Sequence, residues 1–514
     1  MTMMHYKKSI LEYFEETLTS KGDKIAIEDR ERSITFRELA KRAKMVAVQL
    51  RLNVHGEIRR PIGVFVEKSI ESVVGDLGAV YSGNAYMNLD VKMPLPRVKN
   101  ILDLVRPACV VTKSRDLERL VTIFPREKIL VIDEEFPEVT EADESKLADI
   151  LEHVIDFDPL CIINTSGSTG TPKGVVLNHR SFIDYTLWAI DTIGIREDDV
   201  LGSIAPIVFD HSSYEFCLML VRGCTLVFTP ESYAMFPVKL LQLLAEKKVT
   251  YIFWVPTLMV NIANMDLLSK VALPDLRMIW FAGEVFPTKQ FNYWRSHLPQ
   301  ATFVNLYGPT EITVDCTYYI VNRELRDDEP VPIGFPCRNT DILILNGENK
   351  PVGKNEDGEL CVRGSSLAMG YYNNPEKTAS VFVQNPLNDS YPERIYRTGD
   401  IVYVNDLGEI IYKGRNDTLI KHMGKRVELG EIEHVVVNTL GIVKNGCAVY
   451  DHTKKEIVFF YEAEDEMPLA ELRKKIASVL PGYMVPTRYL YLREMLRNTN
   501  GKIDRATLNK QING

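Results

Sequence analysis

Residues 165–174 read TSGSTGTPKG. Glycines let a backbone fold tightly around an anion and point its N–H groups inward. Gly167 and Gly170 supply that freedom here. Thr165 opens the loop, Ser166, Ser168, Thr169 and Thr171 add hydroxyl donors, and Lys173 adds a cation. Such an assembly suits a triphosphate. It is not a Walker loop, because G-x-x-x-x-G-K-[ST] is absent. The apolar run 160–164 directly before it reads as a strand, so the loop follows a strand.

The chain that must position this loop has 514 residues. At roughly 150 residues per domain that is three or four structural units. Apolar residues make up 45% and charged residues 25%, which excludes a disordered chain, a collagen and a coiled coil. The net charge of −9 makes a nucleic-acid partner unexpected. The cysteines lie at 109, 161, 217, 224, 316, 337, 361 and 447, and none forms a C-x-x-C pair, so zinc-ribbon and thioredoxin readings fail. The N-terminus turns acidic before any apolar run long enough for a signal peptide. No stretch approaches the roughly 18 apolar residues that span a bilayer. These features predict a cytoplasmic protein with reduced thiols and no membrane partner.

The first 310 or so residues alternate apolar strands with amphipathic helices. Thr35 with Glu38 fits a capping box, and Phe36, Leu39, Ala43, Val46, Ala47 and Leu50 then recur at helical spacing. Short apolar runs at 61–66, 108–112, 129–133, 160–164, 225–229, 249–256 and 278–284 read as strands. The pattern predicts βα units on buried, largely parallel sheets. After about residue 330 come short strands at 340–346, 358–364 and 408–413 with Gly and Asn turns, a small β-rich subdomain. Beyond Arg415 the spacing predicts a helix over 427–440, strands at 446–451 and 456–463, and a helix over 469–480. That is enough chain for an independent α+β domain.

The phosphate loop resembles that of the acyl- and aminoacyl-adenylate-forming enzymes. These comprise acyl-CoA synthetases, luciferases and the adenylation domains of nonribosomal peptide synthetases. LYGPTE at 306–311, YRTGD at 396–400, GRND at 414–417 and NGKID at 500–504 follow in family order and spacing. The resemblance covers nearly the whole chain. It implies an α/β fold with a large N-terminal core, 1–414, of two stacked βα subdomains plus the small β-rich subdomain. A hinge at 415–417 and a small mobile C-terminal α+β domain, 418–514, would complete it.

The family joins a carboxylate to ATP, releasing pyrophosphate, and a thiol then displaces AMP. By resemblance Lys502 is the catalytic lysine over the substrate carboxylate and the α-phosphate. Thr310 and Glu311 match the family's Thr-Glu pair, with Glu311 the ligand for Mg2+. Gly283 and Glu284 fall in the adenine-side loop, Tyr307 would stack on adenine, and Asn305 would bond its edge. Asp400 would accept from the ribose hydroxyls, with Arg415 nearby. Asp417 matches the hinge position. The segment 421–433 resembles the loop presented for thioester formation, where Gly424 would let a narrow thiol arm pass.

In the amino-acid-activating branch the block at 208–215, VFDHSSYE, carries an aspartate that pairs with the substrate α-ammonium. Asp210 stands there, and Phe209 would gate the carboxylate. By the same resemblance His211, Tyr214, Phe253, Trp280, Ala282, Leu306, Val314 and Asp315 surround the side chain. Several are bulky, so a small amino acid is expected: proline, serine, alanine or glycine. Asp315 would meet a hydroxyl or a second amine. The chain also resembles the D-alanine:carrier-protein ligases through FAGEVFP and GYMVP, although those carry cysteine where Ala282 stands. An acyl-CoA synthetase is the further alternative. About a dozen residues follow Lys502, so the expected thiol donor is a separate phosphopantetheinyl carrier protein, with coenzyme A as the other candidate.

Overall fold

The computed structural model describes residues 7–30, 32–166, 172–415, 419–497 and 503–514. It divides into two compact units: residues 1–91, 105–163 and 174–414, and residues 92–104, 164–173 and 415–514.

The first unit carries three sheets. Nine strands form the first, in the order Phe335–Pro336, Thr317–Ile320, Thr302–Tyr307, Met278–Phe281, Tyr251–Trp254, Val200–Ser203, Thr225–Phe228, Ile25–Asp29, Arg32–Thr35. The inner pairs are parallel and the edges antiparallel. Seven strands form the second, including the parallel set Ala85–Asn88, Pro61–Phe65, Cys109–Thr112 and Ile129–Val131. Strands such as Cys109–Thr112 and Met278–Phe281 are buried at every position, because helices cover both faces of a parallel sheet. A five-stranded antiparallel sheet is built on Gly358–Gly364 and the long strand Arg394–Val404.

One hydrophobic cluster joins the first two sheets through the helices between them. Helix Ile70–Tyr81 is buried on all sides, and Asp210–Arg222 is buried over most of its length. These helices are covered by neighbouring elements, so that polar residues such as Glu71, Asp76 and Glu215 are buried with the apolar ones. Helix Phe36–Asn53 begins as its sequence predicts, with the Thr35 hydroxyl accepting from the Glu38 amide at 3.2 Å.

The second unit has a three-stranded sheet, Asn445–Asp451, Glu456–Glu462 and Arg488–Leu492. Its own core gathers Ile432, Val436, Phe459, Leu472 and Ile476. Here the sequence expectation of a helix from 427 is corrected. Leu419–His422 pairs antiparallel with Lys425–Glu428, and the helix starts only at Leu429. Met423 (φ 53°) and Gly424 (φ 72°) both lie in the left-handed region. A two-residue turn of that hand is the one that matches strand twist, so hairpin pairing overrides the helical spacing of the apolar residues.

Candidate active site

The strand Thr302–Tyr307 delivers a tightly folded corner. Gly308 leaves no room for a side chain: a Cβ there would lie 2.4 Å from the Asp315 Cα and 2.6 Å from the Val314 carbonyl. Thr313 (φ 59°) and Val314 (φ 65°) both sit in the left-handed region, which is costly for β-branched residues. The corner is held by the Thr313 hydroxyl, which donates to the Ser366 carbonyl at 2.9 Å, and by the Ala368 amide, which donates to the Glu311 carbonyl at 2.9 Å. Glu311 is fully buried, and its carboxylate accepts from the Tyr371 hydroxyl at 2.7 Å.

Next to this corner lies the start of helix Asp210–Arg222, with Phe209 as N-cap. Asp210 is its first residue, where the helix dipole favours an anion. Its carboxylate accepts from the His211 amide at 2.8 Å. Burial pushes the Asp210 carboxyl above the usual range; the Thr310 hydroxyl and the His211 amide pull it back, and the Glu311 charge pushes it up again. The fold therefore joins Asp210 to the Thr310–Glu311 pair, about a hundred positions away in sequence.

Beyond Asp210 the side chains of the expected pocket form one aromatic cluster. The His211 ring lies 3.9 Å from Phe253. Tyr214 stacks on Trp280 at 5.8 Å and 8°, and Phe253 meets Trp280 edge-on at 5.6 Å. Leu306 and Val314 are buried beside them, and Ala282 packs against the same core. Asp315 is also buried, and it accepts from the Tyr185 hydroxyl at 2.8 Å.

On the expected nucleotide side, the Tyr307 hydroxyl donates to Asp400 at 2.5 Å. Tyr307 and Asp400 are thus a pair. The Asn305 amide nitrogen donates to the Pro332 carbonyl at 2.7 Å, leaving its carbonyl oxygen as the group that could meet a base edge. Gly283 (φ 91°) and Glu284 follow strand Met278–Phe281, as expected. Glu284, however, accepts from the Thr257 amide at 3.0 Å and from the Thr257 hydroxyl, at the start of helix Pro256–Asn264. Its carboxylate serves a helix N-terminus.

In the second unit, Asn164 and Thr165 stand directly before the phosphate loop. The Asn164 amide oxygen and nitrogen and the Thr165 hydroxyl are buried, with no hydrogen-bond partner among the described residues. Ser166 donates to the Arg426 carbonyl at 3.0 Å. Lys173 is buried and opens strand Lys173–Asn178, and Arg415 ends strand Ile410–Arg415. Gly167, Ser168, Thr169, Gly170, Asp417 and Lys502 lie outside the described residues.

Several supporting residues escaped the sequence reading. Tyr371 and Tyr185 lie 60 and 130 positions from the carboxylates they bond, and no local spacing marks them. A further chain supports His211. Its Nε2 lies 3.3 Å from Glu215, Ser203 donates to Glu215, and Lys68 donates to the Ser203 hydroxyl at 2.7 Å and the Ala205 carbonyl at 2.7 Å. Burial pulls the Lys68 ammonium down to about 8, against the pull of Glu215. An unfolded chain keeps lysine near 10.4. Between about pH 8 and 10 the unfolded state therefore binds more protons, and this group makes stability rise with pH. Denaturant midpoints at pH 8 and 10 should rise less, or fall more, in Lys68→Met than in the unchanged protein; equal slopes would show that folding does not lower the Lys68 ammonium.

Comparison with known proteins gives the family. The family described as "AMP-binding enzyme" matches residues 14–372. Tyrocidine synthase 1 of Brevibacillus parabrevis is 31% identical over 98% of this chain, which spans only 45% of that protein. Zwittermicin A synthase ZmaJ of Bacillus cereus is 30% identical over 97% of this chain and 94% of its own length. The solved structure of the Vibrio cholerae adenylation domain AlmE, in complex with glycyl-adenosine-5'-phosphate, superposes with a TM-score of 0.84 over 99% of both chains at 20% identity. Among the described residues no helix is long and apolar enough to cross a membrane. The matched span, the near full-length relative and the shared fold together make this chain a member of the AMP-binding enzyme family, the adenylate-forming ligases.

Proposed function

We propose that this enzyme activates a small amino acid with ATP and then loads it onto the phosphopantetheine thiol of a carrier protein. A carboxylate oxygen attacks the α-phosphorus, the bond to the β-phosphate breaks, and pyrophosphate leaves with an aminoacyl adenylate left behind. The thiol sulfur then attacks the acyl carbon, and AMP leaves. The first step gathers negative charge at the α-phosphate, so it needs donors and cations fixed beforehand. Lys502 is the cation proposed for it. Residues 165–173 would cradle the phosphates, and the unpartnered groups of Asn164 and Thr165 at the head of that loop favour a polar ligand there.

The observation that carries the amino-acid reading is the carboxylate of Asp210 beside Thr310 and Glu311. An anion there suits an α-ammonium at the place where a carboxylate would meet the phosphate. The stacked Tyr214–Trp280 pair is bulky where the substrate side chain is expected, which favours a small substrate. Tyr307 and Asp400 together would take the adenosine. Mg2+ fits this site through Glu311 alone: no group of three or more metal-ligating His, Cys, Asp or Glu occurs among the described residues, and magnesium is satisfied by one or two carboxylates plus phosphate oxygens. When bound, the ion would neutralise phosphate charge. Pyrophosphate exchange across the amino acids and a series of short fatty acids tests the reading. Exchange driven best by a fatty acid would overturn it.

Thioester formation is proposed to use the face around Gly424. Gly424→Trp should leave adenylate formation running and stop carrier charging. Because Gly424 also closes a left-handed turn, Gly424→Asn is the control: asparagine tolerates that conformation and should still charge. Carrier charging by the tryptophan variant at the unchanged rate would place the thiol path elsewhere.

A further inference from the structure

We propose that Tyr371 is a positioning residue for the magnesium ion that accompanies ATP: its hydroxyl fixes the Glu311 carboxylate, and its backbone ties that carboxylate to the strand that follows the phosphate loop. The proposal rests on the reading of Glu311 as the magnesium ligand.

Segment 366–372 is fastened on two sides. On one side it holds the corner that carries Glu311. The Ser366 carbonyl accepts from the Thr313 hydroxyl, the Ala368 amide donates to the Glu311 carbonyl, and the Tyr371 hydroxyl donates to Glu311 Oε1 at 2.7 Å. On the other side it pairs antiparallel with strand Lys173–Asn178. Tyr371 stands opposite Val175 and Gly370 opposite Val176, and the Tyr372 amide donates to the Gly174 carbonyl at 2.8 Å. Local packing fixes the tyrosine further. A Cβ at Gly370 (φ 133°) would lie 2.6 Å from the Thr378 side chain, so glycine lets this strand press against helix Pro375–Val381. The Tyr371 amide donates to the Thr378 hydroxyl at 3.0 Å, and its ring meets Phe382 edge-on at 6.1 Å. Backbone and ring are both pinned before the hydroxyl reaches Glu311.

The chemistry of the bond suits a metal ligand. Glu311 is fully buried and Tyr371 nearly so, where a carboxylate oxygen left without a donor is costly. A lysine or arginine in this place would orient the carboxylate but cancel its charge. A neutral hydroxyl orients it and leaves the negative charge for a cation. Magnesium demands near-ideal octahedral geometry, so a carboxylate held at one angle serves it better than one that swings. Groups that hydrogen-bond to metal ligands typically change metal affinity by roughly 10–100-fold. The pairing with strand Lys173–Asn178 adds a second consequence: Glu311 and the chain that follows the phosphate loop share one frame.

Equilibrium binding tests this without turnover. Titration calorimetry of the full chain, with no amino acid present, measures ATP affinity in magnesium chloride and in EDTA. Magnesium should tighten ATP binding to the unchanged protein. Tyr371→Phe keeps the ring against Phe382 and removes the hydroxyl. It should cut that gain roughly tenfold, weakening magnesium–ATP and leaving metal-free ATP unchanged. Phe382→Leu loosens the same ring without removing the hydrogen bond, so it should lower the unfolding midpoint and keep the gain. Tyr371→Met, which also lacks the hydroxyl, carries the test if Tyr371→Phe does not fold. Glu311→Gln separates the proposal from the reading beneath it. A gain undiminished in Glu311→Gln would overturn both. A gain lost in Glu311→Gln but kept in Tyr371→Phe, or equal weakening of ATP with and without magnesium in Tyr371→Phe, would overturn the proposal alone and leave Tyr371 a packing residue.

Discussion

Lys502→Ala is expected to slow adenylate formation roughly 10²-fold or more while sparing transfer of preformed aminoacyl adenylate to the thiol. That is the size of effect seen when one preorganised group is removed from a developing anion. The chain on either side of this lysine is tied down. Arg497 and Ile503 form an antiparallel bridge, and the Asp504 carboxylate accepts from the Thr507 amide at 3.1 Å at the head of helix Arg505–Asn513. The second step needs no cation at the α-phosphate, because the charge there is already leaving with AMP. Separate assays of pyrophosphate exchange and of thioester formation from synthetic adenylate check this. Equal loss in both would show that Lys502 serves the fold, or both reactions, and would end its assignment to the first step.

The sequence carried the elements well and the contacts poorly, for a physical reason. Strands buried on both faces must be apolar throughout, so runs such as MIWF at 278–281 announce themselves. Motifs that sit on short segments, such as 306–311, are likewise local. The pairs that fix the site are not local. Tyr307 with Asp400, Tyr371 with Glu311, and Tyr185 with Asp315 join positions 60 to 130 residues apart, and no periodicity encodes them. Glu284 shows the converse. Its place after a strand was legible, but its carboxylate lies on a helix N-terminus that only the tertiary structure brings to it. The hairpin Leu419–Glu428 was hidden because Val427, Leu429 and Ile432 also fit a helix. Its signal was Met423–Gly424, where glycine permits the left-handed turn.

Asp210→Asn is expected to cut amino-acid-dependent pyrophosphate exchange by roughly 10²- to 10⁴-fold, the equivalent of the ~3–5 kcal/mol lost when one partner of a buried ion pair is removed. ATP affinity should stay unchanged. Asparagine keeps the size of the side chain and can still accept from the His211 amide, so the start of helix Asp210–Arg222 should survive. The helix itself loses only a charge at its first turn, which is worth about 0.3–1 kcal/mol. Stability and activity should therefore separate: a small drop in unfolding midpoint against a large drop in turnover. The carboxylate also sits beside Thr310 and within reach of the Glu311 charge. Removing one negative charge eases that repulsion, which offsets part of the lost helix-dipole interaction and keeps the drop in midpoint small. An Asp210→Asn enzyme that activates its amino acid at an undiminished rate would show that the aspartate serves the helix alone. The α-ammonium would then have to be met by another group, and the case for an amino-acid substrate would lose its main support.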